Sequence, residues 1–404
     1  MEANNKTIPV LFQNRTDCCG CGACVNACPV QAIRMVEDAY GFQYPQIDET
    51  KCIRCEKCKR VCSFQNGSVK NKPLETYAAV AKDAELVKKS SSGGLFAALA
   101  QTVLKQNGVV FGAALQSDWS VAHQAASDLE GLRALQGSKY TQSEIGSTYA
   151  QAKNLLDQGK MVLFSGTPCQ IHGLYGYLGK DYDQLITVDV ICHGVPNHRM
   201  FREYIREIEK KQGKPITSFT FRDKSLGWGK NGSAVISKNN RMTKIPVWQS
   251  ASSYLYYFSE GWISRENCYI CPYACAARPA DLTLGDYWGI EKAHPEYLGK
   301  DGFDESKGIS LVVVNTAKGK SMLDLAGDAL CLKESSFDLA AAGNAQLRHP
   351  SQPGPREELM KIYEQGSWTA LHHRYLKKIG WRKYTSQIKA MLPTSVKRLL
   401  KRIR

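Results

Sequence analysis

Two cysteine runs, CCGCGACVNACP (residues 18–29) and CIRCEKCKRVCS (residues 52–63), decide the fold at the start of this chain. Each run contains the spacing C-x2-C-x2-C-x3-C. Pro29 follows the first, and Ser63 stands at the equivalent place after the second. A loop with this spacing presents three thiolates to one cube of iron and sulfur atoms, and its fourth cysteine reaches the other cube. The repeated spacing therefore predicts two 4Fe-4S clusters.

The exchange of the fourth cysteine, as in bacterial two-cluster ferredoxins, fixes the expected ligands of both clusters. The first cluster is predicted on Cys18, Cys21, Cys24 and Cys62. The second is predicted on Cys52, Cys55, Cys58 and Cys28. Zinc is an alternative, but structural zinc sites usually pair two short C-x2-C loops, and a disulfide framework would need an exported chain. Cys19 has no place in the spacing, and we interpret it as a bystander.

Length and composition favour an intracellular protein with more than one domain. The chain has 404 residues and fifteen cysteines, enough for two or three domains. Its first residues, MEANNKTIPVLFQ, lack the basic-then-apolar layout of a signal peptide, and no apolar run approaches the roughly eighteen residues that span a bilayer. We therefore expect a cytoplasmic protein whose cysteines bind metal.

After a polar segment at residues 64–75, strand-like and helix-like stretches alternate along the chain. Buried strands such as GVVFGAAL (residues 108–115) and LITVDVI (residues 185–191) are separated by segments with helical periodicity, such as LFAALAQTVLK (residues 95–105). Repeated strand–helix units predict an α/β domain with a largely parallel sheet.

Four later cysteines form a second candidate metal site. Cys169 and Cys192 each follow a predicted strand, where open α/β sheets bind their ligands, and Cys268 and Cys271 form a C-x2-C pair. These segments would converge on a third 4Fe-4S cluster. Two alternatives stay open. Cys169 and Cys192 are small buried residues beside a pair that holds zinc or nothing, or Cys169 is a reactive thiol at a helix N-terminus.

A phosphate site is predicted where Ser90–Gly94 opens the helix at Leu95. Small residues let a phosphate approach the free backbone N–H groups at the helix start, whose dipole favours an anion. The alternative is an ordinary serine N-cap, and Lys139 would add a positive charge nearby. GWGKNG (residues 227–232) matches G-x-G-x-x-G, but a strand-like segment follows it, so we interpret it as a turn.

Six stretches, taken together, resemble one family. They are SSGGLFAALA, GSKYTQS, FSGTPCQIHGL, DVICHGVP, FRDKSLGW and CYICPYACAARPADLTLGDYWG. The chain is similar in them to the coenzyme F420 hydrogenase/dehydrogenase beta-subunit family, in its bacterial form with a fused N-terminal ferredoxin domain. The similarity covers residues 18–315.

The resemblance implies FAD as a cofactor and a third 4Fe-4S cluster beside it. The implied cluster ligands are Cys169, Cys192, Cys268 and Cys271, with Cys275 as an alternative fourth ligand. The implied flavin contacts are Ser91, Ser92, Gly93, Gly94, Lys139, Ser165, Gly166 and Thr167. No residue is assigned as a catalytic acid.

The cysteine spacings, the strand–helix alternation and the resemblance together give the expected fold class and function, and the basic tail lies outside the resemblance. We expect a two-cluster ferredoxin-like domain over residues 1–70, an α/β flavin-binding core in two parts (residues 76–147 and 148–345) and a helical, basic tail over residues 346–404. The expected protein is an iron–sulfur flavoprotein oxidoreductase that relays electrons between a one-electron donor, such as a ferredoxin, and FAD, for reduction or oxidation of an organic substrate. The alternative is an electron-transfer subunit of a larger complex, without its own substrate.

The net charge of +15 is concentrated at the end of the chain. Residues 371–404 contain eleven Lys or Arg and no acidic residue, so the rest carries only +4, from 42 basic and 38 acidic side chains. Apolar residues interleave with these cations, as in helices that lie on anionic membranes. The tail predicts either contact with the inner membrane face or a solvated segment whose apolar residues pack on the domain. Clusters and flavin give nucleic acid no role.

Overall fold

The computed structural model of this protein describes residues 7–67, 71–238, 241–381 and 392. Its N-terminal part is an antiparallel hairpin between two cysteine loops, each of which leads into a short helix. The elements are α1 (Ala23–Ala27), β1 (Ile33–Glu37), β2 (Gln43–Ile47), α2 (Lys57–Arg60) and α3 (Ser63–Asn66). Gly22 before α1 and Glu56 before α2 share a left-handed backbone conformation. The two cysteine runs therefore repeat the same local turn, although only the first has the glycine that adopts it without strain.

The core of the protein contains two sheets. Their strands are β3 (Glu75–Ala81), β4 (Val109–Leu115), β5 (Val121–Ala126), β6 (Val162–Gly166), β7 (Leu185–Val190), β8 (Ile216–Thr220), β9 (Gly232–Lys238), β10 (Arg241–Val247), β11 (Leu282–Asp286), β12 (Ser310–Val314) and β13 (Leu330–Ser335). The helices around them are α4 (Ala84–Lys89), α5 (Leu95–Lys105), α6 (Leu129–Leu135), α7 (Thr148–Asp157), α8 (Pro168–Leu178), α9 (His198–Gln212), α10 (Ser253–Ser259), α11 (Ile290–Ala293), α12 (Ala317–Leu325), α13 (Phe337–Gly343) and α14 (Arg356–Ile379). The predicted mixture of strands and helices is confirmed.

The larger sheet has eight strands in the order β13-β3-β12-β11-β7-β6-β4-β5. Its centre, β4, β6, β7 and β11, is parallel, while the remaining pairs are antiparallel. The expectation of a largely parallel sheet is therefore correct for the centre only. The turn from Gln116 to Ser120, closed by a backbone hydrogen bond of 2.8 Å, is too short for the crossover that a parallel neighbour needs.

The smaller sheet has the antiparallel order β10-β9-β8 and belongs to a second hydrophobic core with α9, α10 and α14. Phe42 and Tyr44 of the N-terminal hairpin also pack into this core. The glycine segment at residues 227–232 leads directly into β9, which confirms the interpretation as a turn. Strand β9 offers no helix N-terminus to a phosphate.

The described part of the basic tail packs inward. Leu371 and Tyr375 on α14 are buried in the second core, and the Tyr375 hydroxyl donates to the carbonyl oxygen of Ser250 over 2.7 Å. Trp381 is 86 % exposed. Residues 382–404 of the predicted membrane-binding segment, apart from Leu392, lie outside the described residues. In the part of the chain that the structure describes, no helix combines the length and apolar character needed to cross a bilayer.

Candidate functional site

The first predicted ligand set is gathered around one small cavity. Cys18, Cys21, Cys24 and Cys62 all line a space of about 30 Å³ between the hairpin and the two cysteine loops. Burial raises the pKa of Cys24, and the negative charges of the other three thiolates raise it further. Burial likewise raises the pKa of Cys62 to about 11. A site that crowds four thiols in this way suits a cluster whose irons neutralise the thiolates.

Three of the four residues predicted for the second cluster lie close together. Burial raises the pKa of Cys58, and the charges of Cys55 and Cys52 add to the effect. The fourth, Cys28, accepts a hydrogen bond on Sγ from the backbone N–H of Ala32 over 3.1 Å. Its membership of the second ligand set stays a prediction.

The N-terminal domain packs closely against helix α8 of the core at two glycines. A Cβ placed on Gly173 would lie 2.8 Å from Sγ of Cys21, and one on Gly176 would lie 2.4 Å from the carbonyl oxygen of Val61. The Ser63 hydroxyl donates to the carbonyl oxygen of His172, in the same helix, over 2.6 Å. These close approaches explain why α8 has two glycines three positions apart, and we call Gly173 and Gly176 the glycine seat.

The four later cysteines lie near enough to influence one another electrostatically, and their binding of a third cluster stays a prediction. Burial raises the pKa of Cys192 to about 12, and the charges of Cys169 and Cys271 contribute. Burial also raises the pKa of Cys268, with contributions from the other three. Gly194 has φ +102°, and a Cβ there would lie 2.6 Å from Oγ of Ser264. The loop after β7 thus approaches the loop before the C-x2-C pair closely, as a shared site requires.

The geometry favours Cys271 over Cys275 as the fourth ligand of this set. The Cys275 thiol faces the carbonyl oxygens of Pro272 and Ala277, at 3.4 and 3.2 Å, whereas the charge of Cys271 acts on Cys192. Among the described residues, no three His, Cys, Asp or Glu side chains are arranged to hold a single metal ion.

Cys19, interpreted from the sequence as a bystander, lies between two of the predicted sites. It is 4 % exposed. Its thiol lies near the sulfur atoms of Cys21 and Cys169 and lowers the pKa of both, that of Cys169 to about 7. The first ligand set and the third are therefore adjacent. Only the fold brings Cys19 and Cys169 together, so no local pattern reveals the contact.

Arg265 is a buried cation at the same junction. Its side chain is fully buried and donates to the carbonyl oxygens of Cys18 and Gln43, over 2.9 and 2.8 Å. Its guanidinium lies 4.0 Å from the ring centroid of Tyr44, and Nη2 has no hydrogen-bond partner in the structure. The guanidinium charge lowers the pKa of Cys18 against the effect of burial. A buried cation of this kind is suited to balance anionic clusters on either side.

The predicted flavin residues line one cavity of about 330 Å³ at the carboxyl ends of β6, β7 and β11. Seven of the eight are in its wall: Ser91, Ser92, Gly94, Lys139, Ser165, Gly166 and Thr167. Gly93 has another reason to be glycine, because a Cβ there would lie 2.4 Å from the carbonyl oxygen of Ala79. The cavity also reaches Cys192 of the third ligand set. Parallel strands present their ends to ligands at this edge of a sheet.

One end of the cavity is suited to a phosphate. Helix α5 begins after Gly94 without a side-chain cap, which leaves its first N–H groups available. Lys139 donates from Nζ to the carbonyl oxygens of Ala134 and Gln136, at 2.9 and 2.8 Å. Burial lowers its pKa to about 7, since the charged form loses hydration. A buried ammonium beside a helix N-terminus is chemically matched to an anion such as a pyrophosphate.

The wall of the same cavity also contains residues that were not assigned as contacts from the sequence. Arg222 forms a bidentate ion pair with Asp286, which also accepts from Trp228 Nε1 over 3.0 Å. Trp228 and Trp288 stack with ring centroids 4.5 Å apart. Lys230 lines the cavity, and burial lowers its pKa. The signal available for Arg222 and Asp286 was that both lie in stretches that carry the family resemblance.

Two histidines line the cavity in neutral form. Burial lowers the pKa of His123 to about 4. Its ring nitrogens lie 2.7 Å from Oγ of Ser143 and 2.9 Å from the carbonyl oxygen of Ser165. Burial also lowers the pKa of His193 to about 4. His123 thus holds the turn at residues 165–167 in place, which is a positioning role.

Comparisons with known proteins agree with this architecture. Two family models of the coenzyme F420 hydrogenase/dehydrogenase beta subunit match the core. The model of its N-terminal part matches residues 76–149, and the model of its C-terminal part matches residues 159–339. A 4Fe-4S dicluster domain matches residues 17–66. A search of curated proteins finds no match.

Among solved structures, similarity is found to a xenon derivative of the F420-reducing [NiFe] hydrogenase complex from Methanosarcina barkeri. The sequence identity is 16 % and the TM-score is 0.44, over 73 % of this chain and 94 % of the other. The two beta-subunit matches together span most of residues 76–339 and confirm the resemblance found in the sequence. The chain belongs to the coenzyme F420 hydrogenase/dehydrogenase beta-subunit family and carries a 4Fe-4S dicluster domain at residues 17–66.

Proposed function

We propose that this chain is an iron–sulfur flavoprotein oxidoreductase with two clusters in residues 17–66, a third on Cys169, Cys192, Cys268 and Cys271, and FAD in the 330 Å³ cavity. Its partners are a ferredoxin-like one-electron carrier and an organic redox substrate. When bound, clusters carry single electrons and a flavin connects one-electron with two-electron chemistry. The proposal covers both reduction and oxidation of the substrate.

The main observation in support of this proposal is that one turn, residues 165–167, belongs to both the predicted flavin site and the predicted third cluster site. Ser165, Gly166 and Thr167 line the cavity, and Oγ1 of Thr167 lies 3.1 Å from Sγ of Cys169. The cavity and the third ligand set are therefore separated by one residue of chain. Electron transfer needs such proximity, whereas an unrelated pocket and a structural metal site do not.

Different residues of the cavity would bind different parts of FAD and the substrate. Lys139 and the start of α5 would hold the pyrophosphate by charge and by backbone N–H groups. Leu135, Val188 and Leu284 give the cavity an apolar part of its wall, which would exclude water from a flat ring system. The Arg222–Asp286 pair and Lys230 also line the cavity, where they would orient a polar substrate.

Anaerobic purification tests the cofactor content directly. The proposal requires about twelve iron atoms per chain, three clusters of four, together with one flavin. Reduction by ferredoxin, reduced nicotinamide or reduced F420 would then be followed by flavin and cluster absorbance. Clusters without any flavin, after reconstitution with an excess of FAD, would refute the proposal.

Turnover separates this function from that of an electron-transfer subunit. The isolated chain should reduce or oxidise an organic acceptor on its own. A chain that binds all cofactors but shows turnover only with a co-purifying partner would be a subunit without its own substrate.

A further inference from the structure

The two cysteine runs of the N-terminal domain face in different directions. The first is turned towards the core, where Cys21 lies against Gly173 of α8 and the Gln142 side chain donates to the carbonyl oxygen of Cys19. The second run packs on α8 at its end, through Val61 and Ser63, whereas its helix α2 exposes Lys57, Lys59 and Arg60 at the protein surface. Electrons that come from outside would therefore meet the second run before the first.

The surface of the second run combines one exposed apolar side chain with several exposed cations. Ile53, between Cys52 and Arg54, is 59 % exposed. The exposed residues that form this surface, named here the cationic face, are Lys51, Ile53, Arg54, Lys57, Lys59 and Arg60. Lys51 makes a 3.5 Å ion pair with Asp48. Protein interfaces combine apolar contacts with charged and polar residues in this way.

We propose that the cationic face is the docking surface for an acidic one-electron carrier protein. This inference rests on the proposed function, because it assigns the place where the external carrier meets the chain. Opposite charges steer such encounters and align the partners without demanding a large buried area. Small redox proteins associate through interfaces at the low end of the size range. Ile53 would provide the apolar contact, and the cations would provide orientation and on-rate.

Binding tests the proposal independently of turnover. The probe is a small acidic bacterial ferredoxin, oxidised, titrated into the oxidised full-length protein at low and high salt. The variant Lys57→Glu/Lys59→Glu reverses two charges on the cationic face. The control, Lys210→Glu/Lys211→Glu, makes the same change in net charge. These two lysines are exposed at the C-terminal end of α9, roughly 18 Å along the helix from its first residue, His198.

The expected result is about tenfold weaker binding and a reduced salt dependence for the variant on the cationic face only. Ile53→Ser should weaken binding with the salt dependence unchanged. Equal weakening by both double variants would overturn the proposal, because net charge alone would then account for the binding. Unchanged binding in the Lys57/Lys59 variant would also overturn it.

Further measurements separate docking from cofactor function and from other polyanions. Iron content and reduction by methyl viologen, which needs no protein docking, should be the same in both double variants. A protein without flavin that still binds ferredoxin through the cationic face would refute the proposed function and leave the docking surface intact. The Lys57/Lys59 variant is also tested for binding to phosphatidylglycerol vesicles and to duplex DNA. If it lost either of these while it kept ferredoxin binding, the face would belong to a different partner and the proposal would be overturned.

Discussion

The guanidinium of Arg265 donates from Nε to the backbone carbonyl oxygen of Cys18 across 2.9 Å. These residues are 247 positions apart, and they join the core to the first cysteine loop through a buried positive charge. Because the charge lies beside the first and third ligand sets, it favours added electrons on both.

Replacing Arg265 by Met should lower the reduction potential of the first cluster. Loss of the hydrogen bonds to Cys18 and Gln43 should also lower the free energy of unfolding by about 2 kcal/mol. Arg265→Lys keeps the charge and should leave the potential closer to wild type while still destabilising the protein. An EPR-monitored redox titration with an iron assay checks this. Equal potentials in all three proteins would show that the cation has no electrostatic role.

The glycine seat on α8 predicts a steric effect. In Gly176→Ala the new Cβ would lie 2.4 Å from the carbonyl oxygen of Val61, and such overpacking costs about 1–3 kcal/mol. Gly327→Ala is the control, since a Cβ there has no atom within 4 Å. Chemical denaturation followed by cluster absorbance should show a lower midpoint for Gly176→Ala alone. A wild-type midpoint would mean that the N-terminal domain is not held by this contact.

The third ligand set predicts a stepwise change in iron content. Alanine at Cys169, Cys192, Cys268 or Cys271 should reduce the content from about twelve to about eight iron atoms per chain. Cys275→Ala should leave it unchanged, because that thiol faces the carbonyl oxygens of Pro272 and Ala277. Iron assay and EPR under anaerobic conditions decide. If the Cys275 variant lost four irons and the Cys271 variant kept all twelve, Cys275 and not Cys271 would be the fourth ligand.

Lys139 predicts that flavin binding depends on pH. Burial lowers its pKa in the ligand-free protein to about 7, from an ordinary value of 10.5, so the ammonium loses its proton as the pH rises through 7. A bound pyrophosphate favours the charged form, and binding therefore takes up a proton. FAD affinity should fall between about pH 6.5 and 8.5 in the wild type, and Lys139→Gln should bind more weakly with a flat profile.

The same group has a calculable effect on stability. Between pH 7 and 10.5 the unfolded chain binds a proton at Lys139 that the ligand-free folded chain does not, so its contribution to stability increases with pH over this range. Lys139→Gln should remove that increase. The control is Lys105→Gln, at the exposed end of α5. For the prediction on flavin binding, the contradicting result is a pH profile of FAD affinity that is identical in the wild type and in Lys139→Gln.

Local patterns in the sequence predicted the parts of the site that fold locally. The cysteine spacings and the strand–turn–helix segment before Cys169 describe contacts within a few residues, and the structure keeps them. Gly93, predicted as a flavin contact, lies against the β3 backbone at Ala79 and is not among the residues that line the cavity. The sequence analysis overestimated how many strands of the sheet are parallel. Alternation of strands and helices does not reveal where a short turn leads into an antiparallel neighbour.

Contacts between distant segments were not predictable in this way. Cys19 and Arg265 have their roles only after the N-terminal domain has docked on α8. The Arg222–Asp286 pair forms between residues 64 positions apart. A single sequence contains no information on such pairings apart from residue type, and a buried arginine looks like any other arginine before folding.

The glycine seat has a further consequence for how the two parts of the chain move. Because the backbone of the N-terminal domain meets α8 there and Ser63 donates to the carbonyl oxygen of His172, we expect the N-terminal domain to be held rigidly on the core. Internal electron flow should then be indifferent to solvent viscosity. The covalent connection serves mainly to keep the two parts in equal number, so a chain divided just before β3 should reassemble from two separate polypeptides.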